Sequence, residues 1–337
     1  PGNLVTIGPF TLVDWRVQEY VRLAKNPKYH DAANIKVDTV NWIPINDVNA
    51  GLKRYRAGEV DIYDNFPTQQ FKQLKQTLGD QVKNAPYLAT SYLIFNQRNA
   101  PFNDVRVRQA ISLAYDRQTM TDRIYQLGEP VACSLVPPET ANYEKGATSP
   151  DCKFATQAER VAKAKELLAE AGYGPDNKLT FRLYTTTDPD AKRAAATAQT
   201  MWRQVGIEAE LVFNEPATHY NQHLQVANFE VATAAWVGDY NDPETFLFMF
   251  ETNNKGFNYG GYSNARYDEL MAQERLEPDA AKRASIMREA EQLLLDEYGV
   301  APTRFRFNNY LVKPYLKGWT GNMRGVNRSR WMSIEGR

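Results

Sequence analysis

The chain of 337 residues has no uninterrupted apolar run near the ~18 residues that a membrane-spanning helix needs. It has no excess charge of either sign, since 40 Lys and Arg balance 40 Asp and Glu. A nucleic-acid binder carries a basic stripe that displaces counterions, and a membrane-surface protein carries a polybasic patch. A zero balance argues against both. Cysteine and histidine are scarce, with two and three residues. Three histidines leave few bases for a Ser-His-Asp site. Also missing are G-x-x-x-x-G-K-[ST], a G-x-G-x-x-G after a strand, the G-x-S-x-G elbow and C-x-x-C. The opening Pro1-Gly2-Asn3-Leu4 contains no Met, basic stretch or apolar stretch, so no signal peptide is visible in this chain.

What is there is a globular composition. Hydrophobic residues make up 43% and charged residues 24%, which rules out a disordered tail. At about 150 residues per domain, the length predicts two domains. Patterns alternate between period 2 and period 3.6. A strand is expected over 39–43, a helix over 48–57 capped by Asn46 or Asp47 and stopped by Gly58, and a strand over 59–63. That strand–helix–strand order predicts a parallel pair with a right-handed crossover. A helix fits 68–78, and a strongly apolar strand fits 87–95. Asp104 and Asp116 each start a helix, and Thr156 with Glu159 spells a capping box. A second strand–helix–strand unit is clearer still. A strand over 179–184 leads to Asp188 as N-cap with Pro189 behind it, a helix to Val205, Gly206, and a strand over 207–213. Further strands are expected over 229–236, 304–307 and 310–312, with helices over 244–250, 265–276 and 280–298. The fold class is therefore α/β with mixed sheets. The two strand–helix–strand regions are separated by a Pro-rich segment, which suggests two lobes.

Cys133 and Cys152 flank that segment of turn formers. In an exported protein they form one disulfide closing the loop, a closure of about 3 kcal/mol by loop entropy; in a cytosolic one they are two reduced thiols. His219 and His223 stand four apart and share a helix face, as metal ligands would. No Glu follows the first His and no third ligand is evident, so the alternative is a solvated face. Asp61 and Asp64 read as turn formers rather than a catalytic pair. Aromatic residues reach 12%, including 19 Tyr, which suits either groove walls or core.

The most informative stretch is 229–243. Small residues from Ala232 to Ala235 allow another backbone to approach. Gly238 permits an unusual turn. Asp239 follows at the strand end, where α/β folds place their ligand crevice. A carboxylate there binds a cationic group or, alternatively, shapes the loop as an Asx turn.

The chain resembles the oligopeptide-binding branch of the periplasmic solute-binding proteins that serve peptide ABC transporters. The matching pieces run in order along it. They are Ile7-Gly8-Pro9-Phe10-Thr11-Leu12 with Trp15, Lys25-Asn26-Pro27-Lys28-Tyr29 with His30 in place of the usual Trp, and Tyr55-Arg56-Ala57-Gly58-Glu59-Val60-Asp61. Then come Phe95-Asn96, Pro101-Phe102-Asn103-Asp104-Val105-Arg106-Val107-Arg108-Gln109-Ala110 and Tyr115-Asp116-Arg117. Leu167-Leu168-Ala169-Glu170-Ala171-Gly172-Tyr173 and Trp236-Val237-Gly238-Asp239-Tyr240-Asn241-Asp242-Pro243 complete the set.

The resemblance implies a two-lobed periplasmic-binding-protein-like fold with mixed β-sheets flanked by helices. Residues 1–88 and 307–337 would form part of lobe I, and 89–306 the second, peptide-binding lobe. The match spans roughly the last two thirds of the family's length. Pro1 would then be a truncation point, with the first lobe incomplete and a sheet edge left unpaired. The implied function is a non-enzymatic, cofactor-free, metal-free receptor. It would be periplasmic and monomeric, would capture oligopeptides in an interlobe cleft, and would deliver them to the permease subunits. Asp239 matches the residue that receives the peptide α-amino group. Trp236, Val237, Thr233, Ala235 and Tyr240 complete the expected peptide-binding set. Thr233 stands where enteric members have an arginine for the peptide carboxylate, and Ala191 where they have a histidine. Ala89 and Val237 occupy the two places of those members' disulfide, while Cys133 and Cys152 offer a different bridge. Alternatives are a receptor for murein peptides or a non-peptide solute, and a periplasmic hydrolase using His219 or His223.

Overall fold

Capping side chains set where the helices begin. Asp47 accepts from Ala50 N at 2.7 Å, and Thr156 and Glu159 close a reciprocal capping box. Asp188 accepts from Asp190 N at 2.9 Å ahead of a helix whose first residue is Pro189. Each such cap is worth about 1 kcal/mol. The computed structural model describes residues 4–336, so the expectations at Pro1 and Arg337 lie outside the described residues.

In chain order the elements are β1 (Phe10–Arg16), β2 (Tyr20–Lys25), β3 (Thr39–Trp42), α1 (Val48–Arg56), β4 (Ile62–Tyr63), α2 (Phe71–Leu78) and β5 (Val82–Phe95). Then follow α3 (Val105–Ala114), α4 (Gln157–Glu170), β6 (Leu179–Thr186), α5 (Pro189–Arg203), β7 (Ile207–Asn214) and β8 (Val231–Val237). The chain closes with α6 (Ala265–Glu274), α7 (Ala280–Asp296), β9 (Ala301–Val312), β10 (Leu316–Lys317) and β11 (Ser333–Ile334). These form two compact units, one built from residues before Leu88 and after Arg306, the other from Leu88–Arg306. The chain crosses between them inside β5 and inside β9.

In the first unit, β1, β2 and β3 form an antiparallel sheet in that order. Among the described residues β1 and β3 pair only with β2, so they are its edges. β4 corrects one expectation. It does not run parallel to β3 but pairs antiparallel with β9, Ile62 opposite Val312 and Tyr63 opposite Leu311. The local pattern reveals a strand–helix–strand order but not a partner that, for Ile62, arrives 250 residues later. The strands expected over 304–307 and 310–312 are likewise one continuous strand, β9.

In the second unit the strand order is β9-β5-β8-β6-β7. β6 and β7 are parallel and in register from Leu179 opposite Ile207 to Thr186 opposite Asn214, with α5 as the crossover. This is the expected second strand–helix–strand unit. Its core centres on Trp202 of α5, which is fully buried and donates its Nε1 to Ile111 O at 2.9 Å. The Phe181 ring meets the Trp202 edge at 5.2 Å and Phe102 at 6.1 Å. The helix expected after Asp116 starts as an α-helical turn over Arg117–Thr119, capped by Asp116 through Thr119 N, and continues as a π-helical turn over Met120–Tyr125. Cys133 and Cys152 are joined by a disulfide. The bridge lies beside a buried acid, Asp151, which pairs with Arg117 Nη2 at 2.9 Å and accepts from Tyr298 OH at 2.7 Å.

Candidate functional site

The sequence-predicted residues lie on β8 and the turn after it. β8 pairs antiparallel with β5 from Phe95 opposite Val231 to Ala89 opposite Val237. Gly238 N donates to Leu88 O at 2.8 Å, and Asn96 N donates to Glu230 O at 2.9 Å. These two bonds fix the alternation: even-numbered residues of β8 turn their backbone groups toward β5, and Thr233, Ala235 and Val237 turn theirs away. On that outer side β6 meets β8 only at Leu183 opposite Val231 and Tyr184 opposite Ala232. From Thr233 onward β8 therefore has a strand edge that no other strand occupies among the described residues.

Side chains from the π-helical turn His219–Leu224 take part of that edge. His219 Nε2 bonds Thr233 O at 2.8 Å, and Ala235 N donates to Tyr220 OH at 3.3 Å. His219 is fully buried, and burial holds its imidazole below the usual histidine range. This corrects the reading of a solvated helix face. His219 is a neutral backbone partner of β8, and His223 bonds Asn228 O at 3.1 Å instead of joining it. No group of three His, Cys, Asp or Glu side chains placed to hold a metal occurs among the described residues.

The remaining predicted residues are placed as follows. The Thr233 hydroxyl meets that of Thr185 at 2.7 Å. The Trp236 ring packs edge-on against Phe257 at 5.2 Å and Phe248 at 5.9 Å. Val237, Asp239 and Tyr240 are exposed. Asp239 N donates to the buried Thr245 Oγ1 at 3.1 Å, which pins the start of the turn. Tyr240 OH donates to Glu244. Burial, that carboxylate and the nearby Asp242 and Asp239 push the Tyr240 phenol up, so it stays a neutral donor. Gly238 is needed for a different reason than expected. It has no positive φ, but a Cβ there would lie 2.8 Å from Leu88 Cδ2 and 3.1 Å from Thr245 Cγ2. Ala191 sits in the first turn of α5, its N bonded to Asp188 at 3.2 Å.

Sequence reasoning did not single out Tyr220, Thr245, Phe248, Phe257 or Arg283. Arg283 of α7 donates to both oxygens of Asp242 at 2.8 and 2.9 Å. Burial pushes the Asp242 carboxyl up, but the Arg283, Glu244 N and Asn142 hydrogen bonds outweigh it and hold the group below the usual range. Asp242 also accepts from Glu244 N at 3.1 Å, a local contact that does not reveal its partner Arg283. Elsewhere, a cleft of about 790 Å³ opens beside Phe102, Arg182, Glu210 and Glu230. It holds none of the predicted residues, and its Arg182 is paired with Glu230 at 2.8 Å.

The profile described as bacterial extracellular solute-binding proteins, family 5 Middle, matches residues 1–258. The periplasmic oligopeptide-binding protein OppA of Escherichia coli is 36% identical over 95% of this chain and 59% of its own length. The periplasmic murein peptide-binding protein MppA of Escherichia coli is 35% identical over 99% of this chain and 62% of its own length. The chain thus spans about three fifths of these curated relatives. The solved structure of the Escherichia coli murein tripeptide binding protein MppA superposes with a TM-score of 0.91 at 34% identity, covering 100% of this chain and 66% of that one.

Proposed function

The chain belongs to the bacterial extracellular solute-binding proteins of family 5, and on that premise we propose that it is the peptide-binding part of an ABC-transporter receptor. It is a binder rather than an enzyme. The reading assigns the two compact units to the receptor's two lobes and the peptide to the second. One observation carries it: from Thr233 to Val237 no strand occupies the outer backbone edge of β8, where His219 and Tyr220 take only Thr233 O and Ala235 N, and that edge runs into the exposed Asp239.

An extended peptide adds to such an edge as a further strand, and its main-chain groups supply affinity without reading side chains. Its α-ammonium then reaches Asp239, a charge-assisted hydrogen bond of about 2.7–2.9 Å. Trp236, Val237, Ala235 and Tyr240 line the path beside the peptide. Thr233 carries no charge, so β8 offers no cation for a peptide carboxylate. The receptor works in the periplasm, as the names of its relatives suggest, and in this reading hands its ligand to permease subunits. The matches to murein peptide-binding MppA favour a second reading, in which the ligand is a murein peptide.

The test is native mass spectrometry of the complete protein purified without refolding. Co-purified peptides with free amino ends are expected, and their masses separate ordinary from murein peptides. A co-purified solute lacking a free amine contradicts the reading.

A further inference from the structure

The turn from Asp239 to Asp242 is gripped from two sides. On one side stands Arg283 of α7. Besides its two bonds to Asp242, its Nε donates to Glu274 Oε2 at 2.8 Å. A planar guanidinium that forks onto a carboxylate fixes direction as well as distance. The Asp242 and Glu274 side chains are 16% and 1% exposed, so neither can replace Arg283 with bulk water.

On the other side is the disulfide-closed loop. Its Ala141 N donates to Asn241 Oδ1 at 2.9 Å, and Asn142 Nδ2 donates to Asp242 Oδ2 at 3.1 Å. The same helix that carries Arg283 also anchors this loop. Glu291 of α7 is fully buried and accepts from Leu135 N and Val136 N at 2.7 and 2.8 Å, and from Tyr143 OH at 2.8 Å. Arg288 Nε donates to Glu144 at 2.9 Å. One face of α7 thus holds both the turn and the strap that leans on it.

We infer that α7 and the Cys133–Cys152 loop form a brace that positions the ligand-anchoring turn, with Arg283 as the positioning residue. The inference rests on the reading of Asp239 as the amine anchor. Asp239 is exposed on a turn, and a mobile anchor loses freedom at each binding event. The brace makes that ordering part of the fold. Arg283 acts through Asp242 and touches no ligand. Removing the disulfide takes away one of the ties that hold the loop and loosens the turn from the other side.

The test uses the complete protein. Hydrogen exchange is followed at residues 238–243, and calorimetry gives the affinities for tri-alanine and N-acetyl-tri-alanine. Arg283→Gln is expected to speed exchange at 238–243 by about tenfold, as loss of one charged hydrogen-bond pair implies, while β6 is unchanged. It is also expected to weaken tri-alanine more than its acetylated twin; a merely structural role would weaken both alike. Arg283→Lys, which keeps the charge but not the fork, should fall between, and serves if the Gln variant does not fold. Cys133→Ser with Cys152→Ser should speed exchange at 238–243 by a smaller factor. Unchanged exchange there in Arg283→Gln and Arg283→Lys overturns the brace, and unchanged exchange in the double serine variant overturns the part given to the loop. Failure of the anchor reading looks different: Asp239→Asn would keep the preference for tri-alanine, and exchange would still judge the brace.

Discussion

Gly238 passes directly over Leu88. Its N–H donates to the Leu88 carbonyl at 2.8 Å, and a Cβ at position 238 would come within 2.9 Å of Leu88 Cγ. The same Cβ would lie 3.1 Å from Thr245 Cγ2, and Leu88 and Thr245 are both fully buried, so neither neighbour has open space to retreat into. The end of β8 therefore depends on a glycine for closeness rather than for backbone freedom. Gly238→Ala is expected to destabilise the protein by about 1–3 kcal/mol through overpacking, and to weaken peptide binding by displacing the Asp239 turn. Urea unfolding and calorimetry check the two effects; wild-type values in both contradict the packing account.

Glu291 supplies a pH dependence with a definite sign. Burial pushes its carboxyl up from 4.5 to about 7, against the opposing pull of Val136 N, Tyr143 OH and Leu135 N. The native state holds this proton more tightly than the unfolded chain does. The resulting stabilisation is fully present below about pH 4.5 and is lost as pH rises through about 7. Glu291→Gln has no proton to lose and should give a melting temperature that varies less over this window. Scanning calorimetry across it decides, and parallel curves for the two proteins rule the assignment out.

The Cys133–Cys152 bond closes a loop between residues 19 apart in sequence. Replacing both with serine is expected to cost about 3 kcal/mol by restoring loop entropy to the unfolded chain. A urea midpoint that moves little would mean that the Glu291 and Asp151 contacts already hold the loop by themselves.

What was legible in the sequence was local. Asp47, the Thr156–Glu159 box and the Asp188-Pro189 pair cap helices where the pattern placed them, because a cap acts within one turn. The parallel unit of β6, α5 and β7 was legible for the same reason: strand, helix and strand follow one another without interruption. Non-local choices were not. The pairing of β4 with β9 and the meeting of Asp242 with Arg283, 41 residues apart, leave no trace in neighbouring residues. His219 illustrates the limit on single residues, since its spacing from His223 fits a solvated face or a ligand pair. Only packing decides that its imidazole is buried against Thr233 O. The sequence shows Gly238 as a special position, but closeness to Leu88 is a tertiary fact that local pattern does not separate from a need for positive φ.

The proposed role of Asp239, at the end of the β8 edge that no strand covers, is to take the ligand's α-ammonium. Calorimetry of the complete protein and its Asp239→Asn variant, each with tri-alanine and N-acetyl-tri-alanine, tests it most directly. The account predicts that the wild type prefers the free amine by about tenfold or more, the worth of one charged hydrogen bond, and that Asp239→Asn removes the preference. Equal wild-type affinities for the two peptides would contradict it.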